Sequence, residues 1–132
     1  MVNSGSGQKP NGRLSRQQKG RIGEAEACRW LEENEYRILQ RNWRCRSGEV
    51  DVIAAREELL IFVEVRSRSS AAAFGTPQES VNQRKMQQVR ATAAVYIQLN
   101  GEHDRQIRFD VIGVMIDNAG NIGSVHHVEN AF

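Results

Sequence analysis

The stretch from Gly48 to Arg68, GEVDVIAAREELLIFVEVRSR, limits the fold more than any other part of the chain. It reads as two strands joined by a short charged turn near Arg56–Glu58. Side chains in a strand repeat every two residues. In the first run, Glu49 to Ala55, Val50, Val52 and Ala54 are expected on one face, and Glu49, Asp51 and Ile53 on the other. In the second, Leu59 to Ser67, Leu60, Phe62, Glu64 and Arg66 share one face, and Leu59, Ile61, Val63 and Val65 the opposite one. Apolar residues on both faces indicate a strand covered from both sides, and so central in its sheet. Glu64 and Arg66 at the end of such a strand are costly unless they are paired or bind something. Asp51, on the neighbouring strand, can face the same side. Two carboxylates and a cation at one end of a hairpin are what a hard metal ion and a phosphate need. The competing arrangement is a salt-bridge lattice with Arg44, Arg66 or Arg68.

The remaining elements follow from spacing and caps. Residues 1–14 are expected to be a disordered basic tail and residues 15–132 a single domain. From Lys9 to Arg21 there are five basic residues and no acid, a run that usually stays solvated but can touch a polyanion. A helix is predicted from Ser15, its cap, to Asn34, with Ile22, Ala25, Cys28 and Leu31 facing the core and Glu24 at the edge of that face. Gly20 and Gly23 inside this pattern make sense if another backbone or a ligand comes close there. Tyr36 to Trp43 reads as a first strand, and Arg37, Arg41, Arg44 and Arg46 give a cationic edge leading into Gly48. Arg68 to Gly75 reads as a small-residue loop. Thr76-Pro77-Gln78-Glu79 has the form of a capping box, so a second helix is predicted from there to about Leu99, closed by Asn100-Gly101. Gln106 to Asp117 is a further strand, and Ile122 to Val128 an edge strand. A strand–helix–strand crossover needs a parallel neighbour, so an α/β fold with a mixed sheet is expected.

Composition matters at two points. With 132 residues and two cysteines, Cys28 and Cys45, in no metal-ligand spacing, the chain is large enough to need no disulfide staple. No apolar run is long enough for a bilayer and no signal segment is visible, which fits a soluble cytoplasmic protein. The net charge is only +2, yet 15 of the 18 basic residues are arginine. Arginine forks suit phosphates, although a GC-rich genome gives the same bias. Lys85 is left as the sole lysine beyond the basic run that holds Lys9 and Lys19.

Candidate site residues follow. Glu24 is a third acid of the site or one more carboxylate paired with an arginine in the salt-bridge lattice. Arg66 can hold a phosphate and stabilise developing charge, or pair with Glu64 or Asp51. Lys85 is a snorkelling stem or a site lysine. Asp110 reads as polar satisfaction of a strand end. His103, His126 and His127 have no ligand geometry.

These residues fall in ordered motifs: G-x-x-G-E at Gly20–Glu24, R-N-W-R at Arg41–Arg44, G-E-V-D at Gly48–Asp51, F-V-E-V-R-S-R at Phe62–Arg68, F-G-T-P at Phe74–Pro77 and R-F-D-V at Arg108–Val111. Together they resemble the bacterial YraN family, uncharacterised proteins similar to archaeal Holliday-junction resolvases in the restriction-endonuclease-like PD-(D/E)xK superfamily. The resemblance implies an αβββαβ core with a mixed central sheet flanked by helices. It also implies a magnesium- or manganese-dependent endonuclease site acting on branched or structured DNA. Catalytic roles would fall on Glu24, Asp51, Glu64, Arg66 and Lys85, and metal ligation on Asp51, Glu64 and the Val65 carbonyl. DNA contacts would fall on Arg41, Arg44, Arg46 and Arg68, and a two-fold homodimer follows by analogy. The chain departs from the motif at Arg66, which stands where the superfamily has lysine. Lys85 could return the missing ammonium; the alternative is a DNA-binding module on a nuclease fold.

Overall fold

Leu59–Arg68 forms the middle strand of a five-stranded sheet, as its apolar run requires. The computed structural model describes residues 13–69 and 81–132. In chain order the elements are α1 (Arg16–Glu33), β1 (Arg37–Cys45), β2 (Gly48–Arg56), β3 (Leu59–Arg68), α2 (Gln83–Asn100), β4 (Gln106–Ile116) and β5 (Ile122–Val128). The strands lie in the order β1-β2-β3-β4-β5. The β3–β4 pair is parallel and the other pairs are antiparallel. This is the expected mixed α/β sheet, compatible with a restriction-endonuclease-like core.

Each face of the sheet carries its own core. Ala27, Cys28 and Leu31 of α1 pack with Val52, Ala54, Ile61, Val63, Ile112, Val114 and Ile116. On the opposite face Val89, Ala93 and Tyr96 of α2 pack with Val50, Ile53, Ala55, Leu60 and Phe62. Trp43 and Phe62 meet Tyr96 edge-on, and Phe62 stacks on Phe109. The β3 faces are as the alternation predicts. Those of β2 are not: Val50 joins Ile53 rather than Val52. The phase slips at Asp51, where pairing of β2 with β3 also stops, the last partners being Val52 and Val63.

Ser15 caps α1 with a full capping box, its Oγ accepting from Gln18 N–H and Gln18 Oε1 accepting from Ser15 N–H. Ala25, expected in the core, is exposed; Ala27 takes that place, because the buried stripe runs Gly23, Ala27, Leu31. At Gly23 it is a side chain, not the backbone or ligand expected, that comes close: a Cβ would overlap Ser67 Oγ and lie 3.3 Å from Ser67 Cβ. Nothing comes close to Gly20.

Three boundaries move. Leu14 belongs to the domain, since its N–H donates to the Asn118 carbonyl at 3.1 Å. Lys19, read as part of a solvated run, donates to Ser69 Oγ at 2.7 Å and Asn118 Oδ1 at 2.8 Å. Finally, α2 begins at Gln83, capped by Asn82 Oδ1 accepting from Lys85 N–H. The Thr76–Glu79 box lies outside the described residues, and the non-helical Val81 and Asn82 show that no helix runs unbroken from Thr76 to Leu99. Among the described residues no helix is long and apolar enough to cross a membrane.

Candidate functional site

The phase slip at Asp51 builds the site. Where the β2–β3 ladder ends, the Asp51 side chain replaces the missing backbone acceptor: its Oδ2 accepts from Val65 N–H at 2.8 Å. That bond fixes the Asp51 carboxylate beside the end of β3. Glu64 lies one residue earlier on the α2 face and is 2% exposed. Its Oε1 is 3.5 Å from Lys85 Nζ, and its Oε2 is buried with no hydrogen-bond partner among the described residues. Arg66 follows on the same face, and its buried Nε also has no partner there. Glu64 takes its ion pair from Lys85 of α2.

The electrostatics bear the marks of two carboxylates forced together. Burial pushes Glu64 up to about 7, with the Asp51 charge adding to the rise, while Lys85 and Arg66 pull it down. Burial likewise raises Asp51 to about 6; the Val65 N–H opposes the shift, and Glu24 adds to it. Burial and a like charge both disfavour ionisation. Carboxylates raised by burial together with a like charge are candidates for a functional site.

Glu24 reaches the group from the other helix. Gly23 lets α1 approach β3, which brings the next residue within electrostatic range of Asp51. Asn42 Nδ2 donates to Glu24 Oε1 at 3.0 Å. Asn42 was not singled out from sequence. It sits in β1 with φ 52°, a left-handed conformation that asparagine tolerates better than most residues, at the level where β2 slips phase. Glycine or asparagine inside an otherwise β-like segment is the only sequence signal that points to such a position.

Arg41, Arg44 and Arg46 are exposed along β1 and the turn into β2; Arg44 also lies 3.4 Å from Glu49. Arg68 does not belong with them. It is buried at the end of β3, 8% exposed, and interacts within the fold.

An orphaned carboxylate oxygen, a second carboxylate next to it and an all-oxygen donor set suit a hard divalent cation. Among the described residues no three His, Cys, Asp or Glu side chains group closely enough to hold one alone. A cation bound here would have only the Asp51–Glu64 pair as side-chain ligands and would need backbone oxygen and water for its remaining positions.

A second polar cluster sits in the α1-side core. Asp110, fully buried, accepts from Arg108 Nε and NH2 at 2.9 and 2.8 Å and from Asn130 N–H at 2.9 Å. His127 Nε2 lies 2.8 Å from Asp110 Oδ2, and His127 Nδ1 accepts from Trp30 Nε1–H at 3.2 Å. Indole is only a donor, so the histidine hydrogen sits on Nε2 and points at Asp110. Arg108 also donates to the Tyr36 hydroxyl at 2.7 Å. Burial alone would raise Asp110; the bonds from His127, Arg108 and Asn130 outweigh it and hold the carboxyl below its usual range. The cluster is structural, as read for Asp110, and larger than the sequence reading allowed.

Residues 23–114 match the uncharacterised protein family UPF0102. A UPF0102 protein of Moorella thermoacetica is 45% identical over 119 residues, covering 90% of this chain and 98% of that relative. One from Acetivibrio thermocellus is 39% identical over 135 residues, spanning 99% of this chain and all of its own. One from Beutenbergia cavernae is 44% identical over 101 residues, 76% of this chain and 85% of that relative. The match covers both strands that carry the acidic pair, the helix that carries Glu24 and the helix that carries Lys85, and the chain belongs to the UPF0102 family.

Proposed function

We propose that this protein is a divalent-cation-dependent endonuclease that hydrolyses phosphodiester bonds in branched or otherwise structured DNA. The observation that carries the reading is the Asp51–Glu64 pair: two carboxylates from adjacent strands, both raised towards neutrality, one with an unpartnered buried oxygen. Two buried carboxylates this close repel each other and cost stability unless a cation lies between them.

Asp51, Glu64 and the Val65 carbonyl would hold a magnesium or manganese ion. When bound, the ion supplies a more acidic water and neutralises charge at the phosphate. Arg66 stays protonated and serves as a fixed cation for the non-bridging phosphate oxygens. Lys85 places an ammonium next to Glu64 from α2, the position left open when arginine replaced the lysine of the strand. Glu24, steadied by Asn42, orients water at the edge of the pair. Arg41, Arg44 and Arg46 meet the DNA backbone, a contact that positions the substrate without reading sequence.

Cleavage of four-way and flapped DNA in magnesium or manganese tests the proposal. Activity should vanish in EDTA and in Asp51→Ala and Glu64→Ala; cleavage surviving in both variants sinks it. The second reading, a DNA-binding module without chemistry, draws on Arg66 in the lysine position. It predicts binding that falls steeply with salt, no cleavage, and DNA affinity in Asp51→Ala equal to or above that of the unaltered chain.

A further inference from the structure

Lys85 is not held by Glu64 alone. Its ammonium has three donors; one is directed at Glu64 Oε1, 3.5 Å away, and a second at Gln88 Oε1, 3.3 Å away. Gln88 lies one turn further along α2, the spacing at which helix side chains meet. A free glutamine side chain is mobile, and ordering one costs roughly 1–2 kcal/mol. Here it is seated on the turn between β1 and β2. A Cβ at Gly48 would come within 2.5–2.9 Å of Gln88 Cγ, Cδ and Nε2. Gly48 has φ +144°, a conformation suited to glycine. The turn and the helix therefore touch through a residue that has no side chain, and the glutamine occupies the space.

Two open cavities meet at this contact. One, of about 320 Å³, is lined by Arg44, Cys45, Gly48, Glu49, Lys85 and Gln88. The other, of about 290 Å³, is lined by Asn82, Arg84, Lys85 and Gln88. Lys85 and Gln88 belong to both, so the ammonium stands at their junction with one donor left for an occupant.

We infer that Gln88 is the positioning residue of the site: seated against Gly48, it holds the Lys85 ammonium at Glu64, facing the phosphate of a bound strand. The inference rests on the nuclease reading for the identity of that phosphate, but the positioning itself does not.

The test uses the full chain and the nitrogen-15 signals of its lysine ammonium groups. The chain has three lysines, Lys9, Lys19 and Lys85, so the spectrum is simple and Lys19, held by Ser69 and Asn118, is an internal control. Gln88→Ala should lower the order parameter of the Lys85 ammonium and speed its proton exchange with water several-fold, with Lys19 unchanged. Gln88→Glu, which keeps an acceptor, should restore the ordered signal. Gly48→Ala should repeat the effect of Gln88→Ala by displacing the glutamine. In cleavage assays Gln88→Ala should lower kcat by about tenfold to a hundredfold with KM little changed, the signature of a misplaced group. A Lys85 signal equally ordered in Gln88→Ala overturns the inference whatever the activity. A Lys85 signal that loosens in a chain that cleaves no DNA supports the positioning and counts against the nuclease reading alone.

Discussion

A carboxylate in a fully covered strand loses hydration that its neighbours restore only in part. Glu64 shows this with one oxygen unpartnered and a pKa raised to about 7. An unfolded glutamate titrates near ~4.3. Below that pH both states carry the proton and folding is not penalised. As pH climbs from there through about 7, the unfolded chain ionises first and folded-state stability falls; above it the loss is complete. Glu64→Gln should therefore be more stable than the unaltered chain at pH 8, by on the order of 1–3 kcal/mol, and about equal at pH 4. Urea denaturation at the two pH values measures this; a variant less stable at pH 8 would mean that Lys85 and Arg66 more than offset the burial. Glu64 and Asp51 were legible in the sequence because a charge interrupts an apolar strand, and strand alternation gives it a face. Asn42 and Gln88 were not. Their roles come from a left-handed φ and from the space above a glycine, and neither leaves a pattern in composition or period.

At the level of elements, the two strands of the β2–β3 hairpin and a turn near Arg56–Glu58 were legible, because alternation and the charged turn agree. The register slip at Asp51 was not, because a perfect period-two reading has no room for a strand that peels away from its neighbour. The start of α2 was misjudged for a related reason. A capping box was read at Thr76–Glu79, which lies outside the described residues, whereas the residue that caps α2 is Asn82, which the local pattern did not single out. The packing of α1 on β3 rests on Gly23. In Gly23→Ala the new methyl must push Ser67 and with it the helix, an overpacking cost of about 1–3 kcal/mol. It would also carry Glu24 away from Asp51. Adding Ser67→Gly should recover most of the stability, as read by thermal unfolding of single and double variants; no recovery would place the cost elsewhere on the helix.

Across the whole molecule, two buried acidic centres have opposite pH behaviour. Asp110 is lowered, so its contribution is present above the unfolded value of ~3.9 and is lost as pH falls through the folded one. It joins β4 to His127 of β5, to Asn130 beyond it and, through His127, to Trp30 of α1. Trp30 and Asp110 lie 97 and 17 positions from His127 in sequence, which is why the R-F-D-V stretch pointed to Asp110 but not to His127 or Trp30. Asp110→Ala removes the buried carboxylate that Arg108, His127 and Asn130 share, leaving Arg108 only Tyr36 and the exposed Glu129 among the described residues, and should cost about 3–5 kcal/mol, measured by chemical denaturation at pH 7. A cost below ~1 kcal/mol would mean that water replaces the carboxylate. The two centres act in opposite senses: the Asp110 contribution is lost as pH falls, and the Asp51–Glu64 pair costs stability as pH rises.

The exposed arginines of β1 have a consequence apart from DNA. β1 is an outermost strand, and an open strand margin invites another chain to add to it; long charged side chains deter that addition. Arg37, Arg41 and Arg44 stand on that margin. Replacing them to probe phosphate contacts would also strip the guard against sheet-to-sheet aggregation, and a lost interaction in such variants has meaning only in samples that remain dispersed.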